Sequence, residues 1–131
     1  MSETTAVDRM FEALARGDVA AARATCTPDA RIWHSYDRVA HDLDSIAREW
    51  EGLIAGTDER EIVDIRRQPT PDGFVQQHLF YIRPKGGGDR KIWPVCVVAR
   101  IEGGLIARLD EYIDRAGTFA SEGDPLTTPG F

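Results

Sequence analysis

His34, His78 and Glu111 are polar, proton-exchanging residues on stretches that otherwise read as apolar. In an extended strand every second side chain lies on the same face. Over 105–114, Ala107, Leu109, Glu111 and Ile113 share one face; Arg108, Asp110, Tyr112 and Asp114 share the other. The first face is apolar except for Glu111. A carboxylate there is costly to ionise unless paired, so its pKa is expected to rise, which suits acid/base work near neutral pH. Over 30–36, His34 shares the less polar face with Ala30, Ile32 and Tyr36; over 74–83, His78 lies with Phe74, Gln76, Phe80 and Ile82. A lone strand histidine is usually a satisfied core or surface group, and a lone rim glutamate usually pairs with an arginine. Three such exceptions on inward faces instead suggest one polar cluster inside a cavity.

Two chemistries fit that cluster. His34 could take a proton alpha to a carbonyl while protonated Glu111 or His78 donates to the developing oxyanion or leaving group, as in isomerases and dehydratases. Alternatively a His–Glu pair could activate water for epoxide or ester hydrolysis. Tyr36 and Gln76 would orient the substrate, a small apolar oxygenated molecule, and Met10, Trp50, Phe80 and Val97 would form the walls. A binding domain without turnover, or a dimerisation module whose cavity is filled by Trp50 and Phe80, uses the same residues. The trio formally matches two histidines plus a carboxylate, a metal-triad composition. No helical or short-spaced ligand pair supports a metal, so neither metal nor cofactor is expected. Strand register is the sensitive point: one β-bulge would turn Asp110, Tyr112 and Asp114 inward in place of Glu111.

The elements that must position these residues follow from periodicity. Val7, Met10, Phe11 and Leu14 mark a helix over 4–16, closed by Gly17. Asp18 caps a short alanine-rich helix over 19–26, and Thr27-Pro28-Asp29 breaks the chain. A strand over 30–36 precedes a helix over 42–55, whose apolar face is Leu43, Ile46, Ala47, Trp50, Leu53 and Ile54; His41 is placed at its start. The period then becomes two, with strands over 60–68, 74–83, 91–101 and 105–114 separated by Pro/Gly-rich turns that include Gly86-Gly87-Gly88. Short connections join antiparallel neighbours, so these strands read as a meander. Arg66-Arg67 reads as a solvated strand end, and Asp37 as a turn residue able to hydrogen-bond His34. The stretch 116–131 is a Gly/Pro/Thr-rich tail. The fold class is α+β.

The 131 residues suit one domain, 1–131, and 42% hydrophobic with 29% charged residues is an ordinary globular balance. The net charge of −6 argues against nucleic acid as a partner. No apolar run approaches the roughly 20 residues of a membrane helix. MSETTAVDRM lacks the basic and apolar regions of a secretory signal, so a cytoplasmic setting is expected, with Cys26 and Cys96 as reduced, buried thiols.

Three motifs carry a family resemblance. Phe11-Glu12-Ala13-Leu14-Ala15-Arg16-Gly17-Asp18 resembles the FxxLxxGD end of the first helix of the nuclear transport factor 2-like (SnoaL-like) superfamily. Pro28-Asp29-Ala30-Arg31-Ile32-Trp33-His34 resembles its PDAxxWH entry into the first strand, and 105–114 its closing strand. The resemblance implies a cystatin-like cone: a curved, antiparallel or mixed sheet packed on three N-terminal helices around one pocket. It also implies a homodimer through the outer sheet face, here Gln77, Leu79, Tyr81, Cys96, Val98 and Tyr112. The superfamily spans isomerases, hydrolases, dehydratases, cyclases and binders. Against the ketosteroid isomerases, the general-base aspartate falls on His34, and the two oxyanion-hole groups fall on Met10 and near Val97. Both are apolar, so that oxyanion hole is absent. Against the limonene-type epoxide hydrolases, the arginine and aspartate of one strand fall on His78 and Phe80. The last-strand carboxylate falls on Glu111, followed by Tyr112 and Asp114 as in that family.

Overall fold

Helix α1 (Ala6–Arg16) begins at a reciprocal cap: Thr5 Oγ1 accepts from the Asp8 amide, and the Asp8 carboxylate accepts from the Thr5 amide. Its buried stripe includes Val7, Met10, Phe11 and Leu14, and it stops at Gly17 with φ of 77°, a left-handed turn that glycine adopts without strain. Asp18 caps the five-residue helix α2 (Val19–Arg23). Asp42 caps α3 (Leu43–Gly56), which buries Ile46, Ala47 and Trp50. The structure, a computed structural model, describes residues 4–115. The tail read at 116–131 lies outside the described residues.

The three helices rest on a six-stranded open sheet in the order β2-β1-β6-β5-β4-β3. The strands are β1 (Cys26–His34), β2 (Ala40–His41), β3 (Thr57–Thr70), β4 (Gly73–Pro84), β5 (Lys91–Glu102) and β6 (Leu105–Ile113). From β3 to β6 they form the antiparallel meander, whereas β1 joins β6 in parallel, which makes the sheet mixed. Expectation and structure differ at several ends. The second helix stops at Arg23, and Cys26 opens β1 instead of closing that helix. β1 ends at His34, so Tyr36 lies in the following turn. His41 belongs to the two-residue strand β2, paired with Ile32, and Asp42 takes the helix cap.

The fold leaves the sheet's outer face only partly open. Leu79 and Tyr81 are buried in a second small cluster with Ile92, against Val63. Of the six residues assigned to a dimer face, Val98 and Tyr112 are the exposed large apolar ones. Arg60 is buried and ties the C-terminus of α1 to β3. Its Nε donates to the Leu14 carbonyl (2.8 Å), and a second nitrogen donates to Thr57 Oγ1 (2.7 Å). The guanidinium thereby gives a second donor to a helix-end carbonyl that also accepts from the Gly17 amide (3.1 Å).

Candidate functional site

The β1–β6 register creates the site. Ile32 pairs with Leu109 and His34 with Glu111, so the two ionisable side chains stand side by side on neighbouring strands. Register shifts on this side of the sheet lie between Cys26 and Arg31 on β1 and, on β6, opposite Arg100 and Ile101 of β5, both before β1 and β6 reach the His34–Glu111 pairing. Beyond them Leu109 and Glu111 face inward, whereas Tyr112 stays exposed. His34 is 7% and Glu111 6% exposed, and His34 Nε2 lies 3.2 Å from Glu111 Oε1. Tyr36 stacks on the His34 ring at 4.9 Å between centroids, and its hydroxyl donates to Glu49 Oε2 (3.2 Å).

These groups open into a cavity of about 370 Å³ between α1, α3 and the β1/β6 side of the sheet. His34, Glu111, Glu49 and Tyr36 form its polar side; Met10, Trp50, Phe80 and Trp93 are among its walls. Trp50 and Phe80 line the space and do not fill it. The Trp93 indole nitrogen is buried with no hydrogen-bond partner among the described residues.

Burial disfavours a charged imidazole at His34. The hydrogen bond and charge of Glu111, with the charges of Glu49 and Asp37, outweigh it and raise the pKa above its ordinary value. Partial burial and the neighbouring Glu49 push the Tyr36 phenol up, keeping it a hydrogen-bond donor.

His78, Gln76 and Val97 are not among the lining residues. Val97 and Gln76 continue the Glu111 row across the sheet, Val97 pairing with both Glu111 and Gln76, and each is fully buried. Helix α1 packs on β6 and β3 and so lies across the two strands between them. Its Phe11 stands edge-on to His78 at 5.0 Å and to Phe80 at 5.7 Å, which closes the floor above His78. The Gln76 amide is already committed: its oxygen accepts from Arg67 Nε (2.8 Å) and its nitrogen contacts His78 Nδ1 (2.9 Å). Arg67 also pairs with Asp8 on α1, so it is a buttress and not a solvated strand end. His78 therefore belongs to a buried structural network. Because the amide nitrogen faces Nδ1, the imidazole is neutral with its proton on Nε2.

Burial pushes the His78 pKa down to about 4. The unfolded chain then binds a proton at this residue below roughly pH 6.5, while the folded chain does not until near pH 4, so stability falls as pH drops through that window. We expect the native chain to lose about 2 kcal/mol more than His78→Leu between pH 7 and pH 5. Urea unfolding of both proteins at the two pH values measures this difference. Equal losses would mean that His78 is protonated in the folded state.

The sequence reading missed Glu49, which flanks the apolar stripe of α3 three residues after Ile46 and four before Leu53. It also missed Trp93, which faces inward on β5. Asp37 does not serve His34: its Oδ2 lies 2.7 Å from His41 Nε2, and its other oxygen accepts from the Val39 amide (3.0 Å).

Solved structures similar to this one share its fold. A protein with a ketosteroid isomerase-like fold from Catenulispora acidiphila, solved with trimethylamine, matches with a TM-score of 0.74 at 12% identity, over 85% of this chain and 86% of its own. An epoxide hydrolase of the limonene type from M. tuberculosis matches with a TM-score of 0.70 at 18% identity, over 87% and 84%. A proposed polyketide cyclase from Pseudomonas putida matches with a TM-score of 0.70 at 20% identity, over 87% and 92%. At these identities the likeness extends to fold alone. No curated protein matches the sequence. The family model of the SnoaL-like domain matches residues 7–109, and the chain accordingly belongs to the SnoaL-like family.

Proposed function

We propose that this protein is an acid/base enzyme acting on a small, apolar, oxygenated molecule in the cavity above β1 and β6. The observation that carries the reading is the His34–Glu111 pair, two buried ionisable groups in contact on the polar side of a cavity whose other walls are apolar. Glu111 takes a proton from a carbon alpha to a carbonyl or from an attacking water. His34 orients the carboxylate and moves the proton on, and the Trp93 indole N–H offers a donor to a substrate oxygen. Proton transfer of this kind needs no redox or group-transfer cofactor, and it covers isomerase, dehydratase and hydrolase or cyclase reactions. The cavity volume lies within the range of small-molecule sites, roughly 300–1,000 Å³. His78 has no part in the step, since Phe11 separates it from the cavity.

A panel of small apolar ketones, enones and epoxides tests the reading, by crystal soaking and by product analysis after incubation. A ligand whose oxygen lies within hydrogen-bond reach of Glu111, His34 or Trp93, and which is converted, supports it. A ligand bound there but recovered unchanged makes the protein a binder. If no member of the panel enters the cavity, the reading fails.

A further inference from the structure

The β1–β2 turn and α3 bring four potential ligands to the cavity rim: His34, Asp37, His41 and Glu49. One ligating atom from each lies within 4.8 Å of the others, with both histidines buried and both carboxylates half-buried. An independent observation points to a missing occupant. His34 is 7% exposed, and its Nδ1, aimed at Glu49, has no hydrogen-bond partner among the described residues. Buried polar atoms without a partner are rare in folded proteins.

Two of the distances fit an ion better than hydrogen bonds, whereas His41 Nε2 and Asp37 Oδ2, 2.7 Å apart, share a hydrogen bond that an ion would have to open. His34 Nδ1 stands 3.6 Å from Glu49 Oε2, and His41 Nε2 stands 3.5 Å from Glu49 Oε1. Neither is a good hydrogen bond, yet both approach the roughly 3.3–3.5 Å between neighbouring ligands of a tetrahedral zinc with bonds near 2.0–2.1 Å. The second ring nitrogens are held from behind: His34 Nε2 faces Glu111, and His41 Nδ1 meets Ser45 Oγ at 2.7 Å. The Glu49 carboxylate is oriented by the Tyr36 hydroxyl, which donates to its Oε2. Metal-binding histidines typically have such a partner on the second ring nitrogen, which fixes tautomer and orientation.

We propose that His34 Nδ1, His41 Nε2, Asp37 and Glu49 bind one divalent transition-metal ion, of which zinc best suits two imidazoles with two carboxylates. Calcium and magnesium favour all-oxygen shells and fit this donor set less well. The ion displaces the proton that His41 Nε2 shares with Asp37. Ligand pairs up to 4.8 Å apart close by as much as roughly 1.4 Å, and the 2.7 Å His41–Asp37 pair opens by roughly 0.7 Å, to reach tetrahedral spacing, movements the half-buried carboxylates make by side-chain rotation. The ion takes only Nδ1 of His34, so Glu111 keeps its contact with Nε2 and remains a base on the cavity wall; with the ion bound, His34 orients that base and Glu111 alone carries the proton. Metal binding is read without substrate, so this inference and the proposed reaction stand or fall separately.

The test titrates the chelator-stripped full chain with ZnCl₂ by calorimetry and with CoCl₂ by visible absorption. We expect one ion per chain, and the intense d–d bands of tetrahedral cobalt. His41→Gln and Asp37→Asn should each weaken binding at least about tenfold, and Ser45→Ala, which leaves every ligand in place, about 10- to 100-fold. Asp44→Asn, on the exposed side of α3, should bind as the native chain does. Far-UV circular dichroism confirms that each variant is folded; should a ligand variant unfold, Ser45→Ala and the native cobalt spectrum decide. Absence of binding, weak octahedral cobalt bands, or equal zinc affinity in the native chain and the folded His41→Gln variant would overturn the proposal.

Discussion

Glu111→Gln lowers turnover by about 10²- to 10⁴-fold on whichever panel member the cavity converts, the usual contribution of a positioned acid or base. The substitution keeps the side chain's size and leaves an amide oxygen facing His34 Nε2, 3.2 Å away in the native pair. What it removes is the basicity that accepts the proton and the negative charge that holds a proton on His34. If Glu111 is the base, the loss falls on kcat, with KM changing little, because substrate contacts with Trp50, Phe80 and Trp93 persist. If Glu111 only shapes the cavity, KM moves and kcat does not. Steady-state kinetics beside a circular dichroism spectrum separate the two. A Gln variant with native kcat would remove Glu111 from the reaction.

Gly73→Ala destabilises the fold by about 3 kcal/mol, at the upper end of what overpacking costs. Gly73 opens β4 opposite Arg100, next to the Phe74–Ala99 pair. A β-carbon there would lie 1.9 Å from the Ala99 carbonyl oxygen and 2.8 Å from its carbon. Both are backbone atoms in the β4–β5 ladder and cannot swing aside like a side-chain tip. The ladder must part at its end, and the strands that carry the row from Gln76 to Glu111 shift with it. Gly52→Ala on α3 is the control: nothing among the described residues lies within 4 Å of its added carbon, and an alanine in a helix interior stabilises by roughly 0.5–1 kcal/mol. Urea melts of the two variants should therefore move in opposite directions. A Gly73→Ala midpoint equal to the native one would show that β5 yields without loss.

Local periodicity made most elements legible. The spacing of Val7, Met10, Phe11 and Leu14 identifies α1, and Gly17 its end, because a helix repeats every 3.6 residues and glycine tolerates the left-handed turn. Alternation placed Ala30, Ile32 and His34 on one face of β1, and Leu109 and Glu111 on one face of β6, and both sets are buried. The motifs at both ends of the chain identified the family. Element ends were less legible: Cys26 and Tyr36 exchange strand and non-strand because pairing with β6 decides where β1 starts and stops, and β6 lies far along the chain.

What the sequence determined by itself is the set of amphipathic elements, the α+β class, the family, and which side chains share a strand face, since each rests on short-range periodicity or local motifs; that Glu111 and not Asp110, Tyr112 and Asp114 turns inward on β6 was left to the register shift that the structure places between Arg100 and Ile101. Which inward residues meet was decided by tertiary structure alone. The parallel β1–β6 register put His34 beside Glu111. The path of α1 across β5 and β4 sealed His78 behind Phe11 and tied Gln76 to Arg67. The turn after β1 gave Asp37 to His41, and the docking of α3 brought Glu49 to the rim. Alternation is a property of one strand and is written in its neighbours along the chain. A shared site is a property of strands and helices distant in sequence, set by register and helix placement, which only the packing of the whole core selects.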